Sequence, residues 1–223
     1  MIARIHFAFL LLLVSLTGIQ CREKAEIQIC QSSECQTYYS IWKNILMKQN
    51  NLTEYWFNQH IDVKSTSISD WKDGRTFRVT FDLVINWARV PVSNQIIIEI
   101  KDGAPPYPSL NLPKNKPLNQ EEIERALTLN AHSSSLYTID GKQSMRFKNE
   151  KEALNHLRAR SGIKSLSFSK LQLPRSSFAH PTDGRIELHA NGLINKDQED
   201  CVDAILNLHT GEYEVYHRPC RVF

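Results

Sequence analysis

The chain has 223 residues, with 27 lysines and arginines against 24 aspartates and glutamates, for a formal net charge of +3. Its basic residues are spread along the chain without a block, which argues against a nucleic-acid binder or a protein held on anionic membrane by a cationic face. The eight glycines stand singly and no His-Glu-x-x-His or EF-hand spacing occurs, so neither a phosphate-loop nucleotide nor a metal cofactor is expected.

Residues 1–21 read as a secretory signal peptide: Arg4 and His6, an apolar run over 7–16, then small residues and Cys21. The run is shorter than the roughly 20 apolar residues a membrane-spanning helix needs, and no later stretch is longer. Without this segment, which holds one charged residue, Arg4, the net charge is +2. The expected location is therefore extracytoplasmic, either secreted or anchored at the cell envelope. Cys21 is the lipidated first residue of a lipoprotein, part of the cleavage region, or a retained free thiol; Gly18-Ile19-Gln20 before it departs from the usual Leu-x-Gly/Ala lipobox. The first two readings leave Cys30, Cys35, Cys201 and Cys220, an even number suited to two disulfides in an oxidising compartment. Buried free thiols are the alternative.

In chain order, Ser33 and Gln36 form a capping box for an amphipathic helix over 33–48, with Tyr38, Ile41, Trp42, Ile45 and Leu46 at helical spacing. Asn50-Asn51 ends it. Tyr55-Trp56-Phe57 is too apolar for a free loop; an exposed aromatic surface at Tyr55 and Trp56 is the candidate binding site for a protein partner. Asn51-Leu52-Thr53 matches a glycosylation sequon, relevant only in a eukaryotic source. A short strand is expected over 60–65 and a turn at 71–74. Residues 76–87 alternate most clearly, with Phe77, Val79, Phe81, Leu83, Ile85 and Trp87 on one face of an antiparallel strand. Pro91 to Asn94 is expected to turn the chain before Ile96, Ile98 and Ile100 return.

Five prolines between 102 and 119 mark a stiff connector. The expected division is 22–103, a helix-plus-sheet unit; 104–118, a proline-rich linker; and 119–223, a second α+β unit. A long loop over a single domain is the alternative. Asn119 and Glu122 cap a short helix, and Asn149 and Glu152 cap another that Gly162 stops. Asp140-Gly141 is expected to join strands at 136–139 and 145–147, and Asn191-Gly192 to join strands at 185–190 and 193 onward. A strand over 165–173 carries a bulge at Lys170-Leu171.

The last hairpin can be argued from register. Val202, Ala204, Leu206 and Leu208 alternate with polar residues, Thr210-Gly211 reads as a two-residue turn, and Tyr213 and Val215 continue the pattern. Pairing His209 with Glu212 places Cys201 opposite Cys220, on the face away from the apolar side chains and within disulfide reach. Cys30 and Cys35 then pair by default.

The segment 202–215, Val-Asp-Ala-Ile-Leu-Asn-Leu-His-Thr-Gly-Glu-Tyr-Glu-Val, resembles the closing hairpin of PepSY domains, and the helix and meander from Asn149 on resemble the cystatin-like arrangement. The resemblance implies a domain that binds or inhibits proteases, or serves as an envelope accessory domain. The extra cysteines and the proline-rich stretch depart from it, and no functional residue is carried over.

Catalytic chemistry is sparse. Ser176, His180 and Asp183 lie close together in a turn-rich stretch, and His189, His209 and His217 occupy the C-terminal hairpins without metal-ligand spacing. Glu121-Glu122 and Glu150/Glu152 complement helix dipoles. The sequence thus predicts a disulfide-stabilised α+β protein with helices packed on antiparallel meander sheets, cystatin-like, in one or two units. The expected function is that of an exported, non-catalytic binding or accessory protein of the cell envelope or extracellular space, with a protease-inhibitor-like module as the specific form. Alternatives are a secreted hydrolase using the 176–189 loop and a structural envelope lipoprotein.

Overall fold

Ser32, in extended backbone, accepts a hydrogen bond on its side chain from the Cys35 N–H at 3.1 Å and starts helix α1 (Ser33–Gln49). The cap lies one residue before the expected Ser33. The structure, a computed structural model, describes residues 29–102, 112–129, 139–141, 144–174, 184–195 and 200–220. The expected signal peptide with Cys21, the first part of the proline-rich stretch, the strand residues 136–138 and the trio Ser176, His180 and Asp183 lie outside the described residues.

The apolar stripe of α1, Tyr38, Trp42, Ile45 and Leu46, is buried. Trp42 is fully enclosed, with ring centroids 5.6 Å from Phe81 and 6.0 Å from Phe57. Enclosing a large apolar side chain contributes on the order of 2–3 kcal/mol. After the short helix α2 (Glu54–His60), three strands form an antiparallel meander in the order β1-β2-β3: β1 (Ile61–Trp71), β2 (Gly74–Ile85) and β3 (Ala88–Ile100). The inward row Phe77, Val79, Phe81 and Leu83 on β2 is completely buried, as its alternation predicts.

Two expectations fail here. β1 runs to Trp71, well past the short strand predicted. Pro91 and Asn94 do not turn the chain but lie within β3, opposite Asp82 and Val79. The turn is Asn86-Trp87, where Asn86 takes a φ of 52°. β3 ends the sheet order among the described residues, and an edge position tolerates the missing N–H of Pro91. Residues 112–118 return alongside β3: the Asn115 and Leu118 N–H groups donate to the Ile100 and Ile98 carbonyls, both at 2.8 Å.

Helix α3 (Gln120–Leu129) carries the predicted reciprocal cap, with Asn119 and Glu122 each bonding the other's backbone N–H. Helix α4 (Glu150–Ser161) begins at Asn149, whose side chain accepts from the Glu152 N–H, and ends at Gly162, φ 75°. The second sheet has the order β4-β5-β6-β7: β4 (Ser167–Gln172), β5 (Glu187–Asn195), β6 (Asp200–Asn207) and β7 (Tyr213–Pro219). Its β4–β5 register slips between Phe168 and Lys170, next to the expected bulge.

Three further expectations are corrected. Residues 145–147 are not a strand. Asn191 and Gly192 lie inside β5 rather than in a turn; a Cβ on Gly192 would meet the Leu166 backbone N at 3.1 Å, so glycine provides room for a close approach. In the β6–β7 hairpin Cys201 faces Arg218, not Cys220, because the connection is a four-residue loop over 208–211. The two-residue slip keeps every side chain on its predicted face. The molecule is thus α+β, with two antiparallel sheets, four helices among the described residues and two disulfides. Buried side chains of both sheets form one continuous cluster.

Candidate functional site

The corner between α1 and α2 positions the predicted binding residues. Asn50 closes α1: its N–H and side-chain amide both donate to the Leu46 carbonyl. Its side-chain oxygen accepts the Ile139 N–H at 2.8 Å, drawing in residues 139–141. Asn51 takes a φ of 50°, which reverses the chain and which asparagine tolerates better than most residues. Thr53 then caps α2 by accepting the Trp56 N–H at 3.1 Å.

α2 sends its three consecutive aromatic residues in different directions. Phe57 is buried against Trp42, with the Lys43 ammonium 4.8 Å from its ring centroid. Trp56 is half-buried: its indole N–H donates to the Gly141 carbonyl at 3.1 Å and its ring lies 4.5 Å from that of His60. Tyr55 points outward and is 72 % exposed. Trp56, not Tyr55, lines a shallow depression of about 470 Å³ together with Leu52, Asp140 and Gly141. A Cβ on Gly141 would stand 3.0 Å from the Trp56 indole nitrogen, so this corner is tightly fitted. Lys43 and Glu54 form an ion pair at its edge. Burial, then the nearby Glu54 charge, pushes the Tyr39 phenol above its ordinary value. Tyr55 and Trp56 are therefore neighbours in sequence with separate roles: one presents surface and the other fastens the helix.

The predicted pairs of cysteines are bonded. Cys30–Cys35 spans 5.2 Å between Cα atoms at the start of α1, where both sulfurs approach the Thr66 hydroxyl at 3.5 Å. Cys201–Cys220 spans 5.0 Å diagonally across the last hairpin. Each of the three C-terminal histidines has its own partner. His189 Nε2 lies 3.2 Å from Glu187, His209 Nδ1 lies 3.0 Å from the Ser144 carbonyl, and His217 Nδ1 lies 3.8 Å from Asp200. Among the described residues no group of three or more histidine, cysteine, aspartate or glutamate side chains is placed to hold a metal ion. No helix among them is long and apolar enough to cross a membrane.

The residue that sequence reasoning missed is Glu187. Among the described residues it is the single charged one of the buried polar group Thr76, Asn94 and Glu187. The alternation Arg185-x-Glu187-x-His189 puts all three groups on one face of an extended segment but does not tell that Glu187 is buried there. No protein-family model, characterised protein or solved structure matches the chain.

Proposed function

We propose that this chain is an extracytoplasmic, non-catalytic binding or accessory protein that engages a protein partner through the α1–α2 corner. In this reading the α+β arrangement is cystatin-like, and protease inhibition is the specific activity to examine first. The observation that carries the proposal is Tyr55. It presents a large aromatic ring, 72 % exposed, on a short helix that is capped at both ends, beside the half-buried Trp56. Aromatic side chains of this kind dominate the energetics of protein interfaces. Two disulfides suit an oxidising compartment, in keeping with the predicted signal peptide.

The test is a photocrosslinking residue at position 55 in the exported protein in its own cells, with the same group at the exposed Lys72 as control. A discrete adduct from position 55 alone is expected, and Tyr55→Ala should weaken retention of that adduct's partner at least tenfold without lowering the unfolding midpoint. No adduct at 55, or undiminished partner retention by Tyr55→Ala, refutes the proposal.

A further inference from the structure

The second sheet turns one face to the core and leaves Glu214, Tyr216 and other described residues of the opposite face exposed. On that opposite face, towards the β6–β7 loop, lies a cleft of about 500 Å³. Three strands build it. Glu187 on β5 stands opposite Asn207, Ile205 on β6 stands opposite Glu214, and Tyr216 follows Glu214 on the same face of β7.

Glu187 lies at the inner end, its side chain 9 % exposed. Arg185 Nε donates to one of its oxygens at 2.9 Å, and His189 Nε2 lies 3.2 Å from the other. Burial pushes this carboxyl up, but the hydrogen bonds from His189 and Arg185 outweigh it and hold the group below the ordinary glutamate range. Glu212 and Glu214 stand at the rim. One oxygen of Glu212 accepts the Thr210 hydroxyl at 3.2 Å and one oxygen of Glu214 accepts the Tyr216 hydroxyl, while the second oxygen of each has no partner among the described residues. The three carboxylates and the Arg185 guanidinium leave the lining at −2, in a chain whose net charge is +3.

Charge alone would make this a solvated face. Ile205 and Tyr216 make it a receptor. Ile205 supplies an apolar floor, and the Tyr216 ring, 49 % exposed, forms a wall. This combination matches one kind of group: an aliphatic stem ending in a cation. The stem packs on the floor, the head meets the free rim oxygens in charge-assisted hydrogen bonds, and the ring face attracts the same charge. β7 is also last in the sheet order among the described residues, so an extended segment beside it brings alternate side chains over Glu214 and Tyr216. We propose that this cleft receives an arginine or lysine side chain of an extended basic segment in a polypeptide partner. The surface uses none of the residues at the Tyr55 corner, so either proposal can fail without the other.

The test uses the purified full chain and a short uncharged-ended peptide, Ala-Arg-Ala-Arg-Ala, followed by nuclear magnetic resonance. Saturable shifts of the Ile205 methyl and Tyr216 ring signals are expected, with little response to the same peptide carrying citrulline for arginine. The double variant Glu212→Gln/Glu214→Gln should weaken binding at least tenfold. Glu121→Gln/Glu150→Gln, which removes the same charge elsewhere, should leave it unchanged. Equal response to citrulline, failure to saturate, or equal loss in both double variants overturns the proposal.

Discussion

Glu187 shows how a buried charge is kept. Its carboxyl is held below the ordinary glutamate value, about 4.3, by the hydrogen bonds from His189 and Arg185 that overcome the cost of burial. A folded-state pKa below the unfolded one adds stability that is fully present above the unfolded value. That stability is lost as pH falls through the folded value. We therefore expect stability to decline below about pH 4.3, and Glu187→Gln to flatten that decline in urea titrations across this range. An unchanged slope would mean that other carboxylates, such as Asp62 held by Lys64 and Arg89, dominate acid sensitivity. At this scale the sequence was legible where the interaction is local. Asn119 with Glu122 and Asn149 with Glu152 are read from spacing alone, because a cap involves only neighbours along the chain. The burial of Glu187 depends on strands that come together only after folding, and spacing does not report it.

Elements were legible to the extent that their signal was periodic. β2 alternates from Phe77 to Ile85, and that period of two marks it in the sequence. β3 was broken in two because Pro91 and Asn94 are common turn formers, yet its inward row Val90, Val92, Asn94, Ile96 is unbroken and buried. Asn191-Gly192 misled for the same reason: a glycine that makes room for the 165–166 backbone has the same letter as one that turns a chain. In the last hairpin the side chain of Asn207 accepts the His209 and Thr210 N–H groups, and Gly211 takes a φ of 81°. A longer loop forms where two residues were read. The disulfide survives this slip because Cys220 remains on the same face as Cys201, two places beyond its direct opposite, Arg218. Crosslinks that close loops of this length contribute roughly 3 kcal/mol. Cys201→Ser/Cys220→Ser should lower unfolding free energy by about that amount in denaturant titrations, and a change under 0.5 kcal/mol would show that the hairpin holds without it.

For the whole molecule, the decisive contacts join residues far apart in the chain, and these are what a linear reading could not see. Trp87 at the β2–β3 turn donates its indole N–H to the Phe147 carbonyl at 2.7 Å, Trp56 reaches Gly141, Asn50 holds Ile139, and Lys48 pairs with Glu124 at 2.9 Å. Together with the continuous apolar cluster they tie both sheets into one packing unit. Trp87→Phe keeps an aromatic ring but removes the indole donor and part of the ring volume, so it should cost at least about 1–2 kcal/mol. Unfolding should still occur in one transition when followed by both fluorescence and circular dichroism; two separated transitions would show that the sheets unfold independently. The bond between Cys201 and Cys220 has a last consequence. The connection between β6 and β7 is exposed at Thr210, a natural place for a protease to nick the chain. A cut there separates the backbone but not the molecule, because the sulfur bridge lies beyond it. The final strand would stay in its sheet, and the two fragments would part only when unfolded in the presence of a reductant.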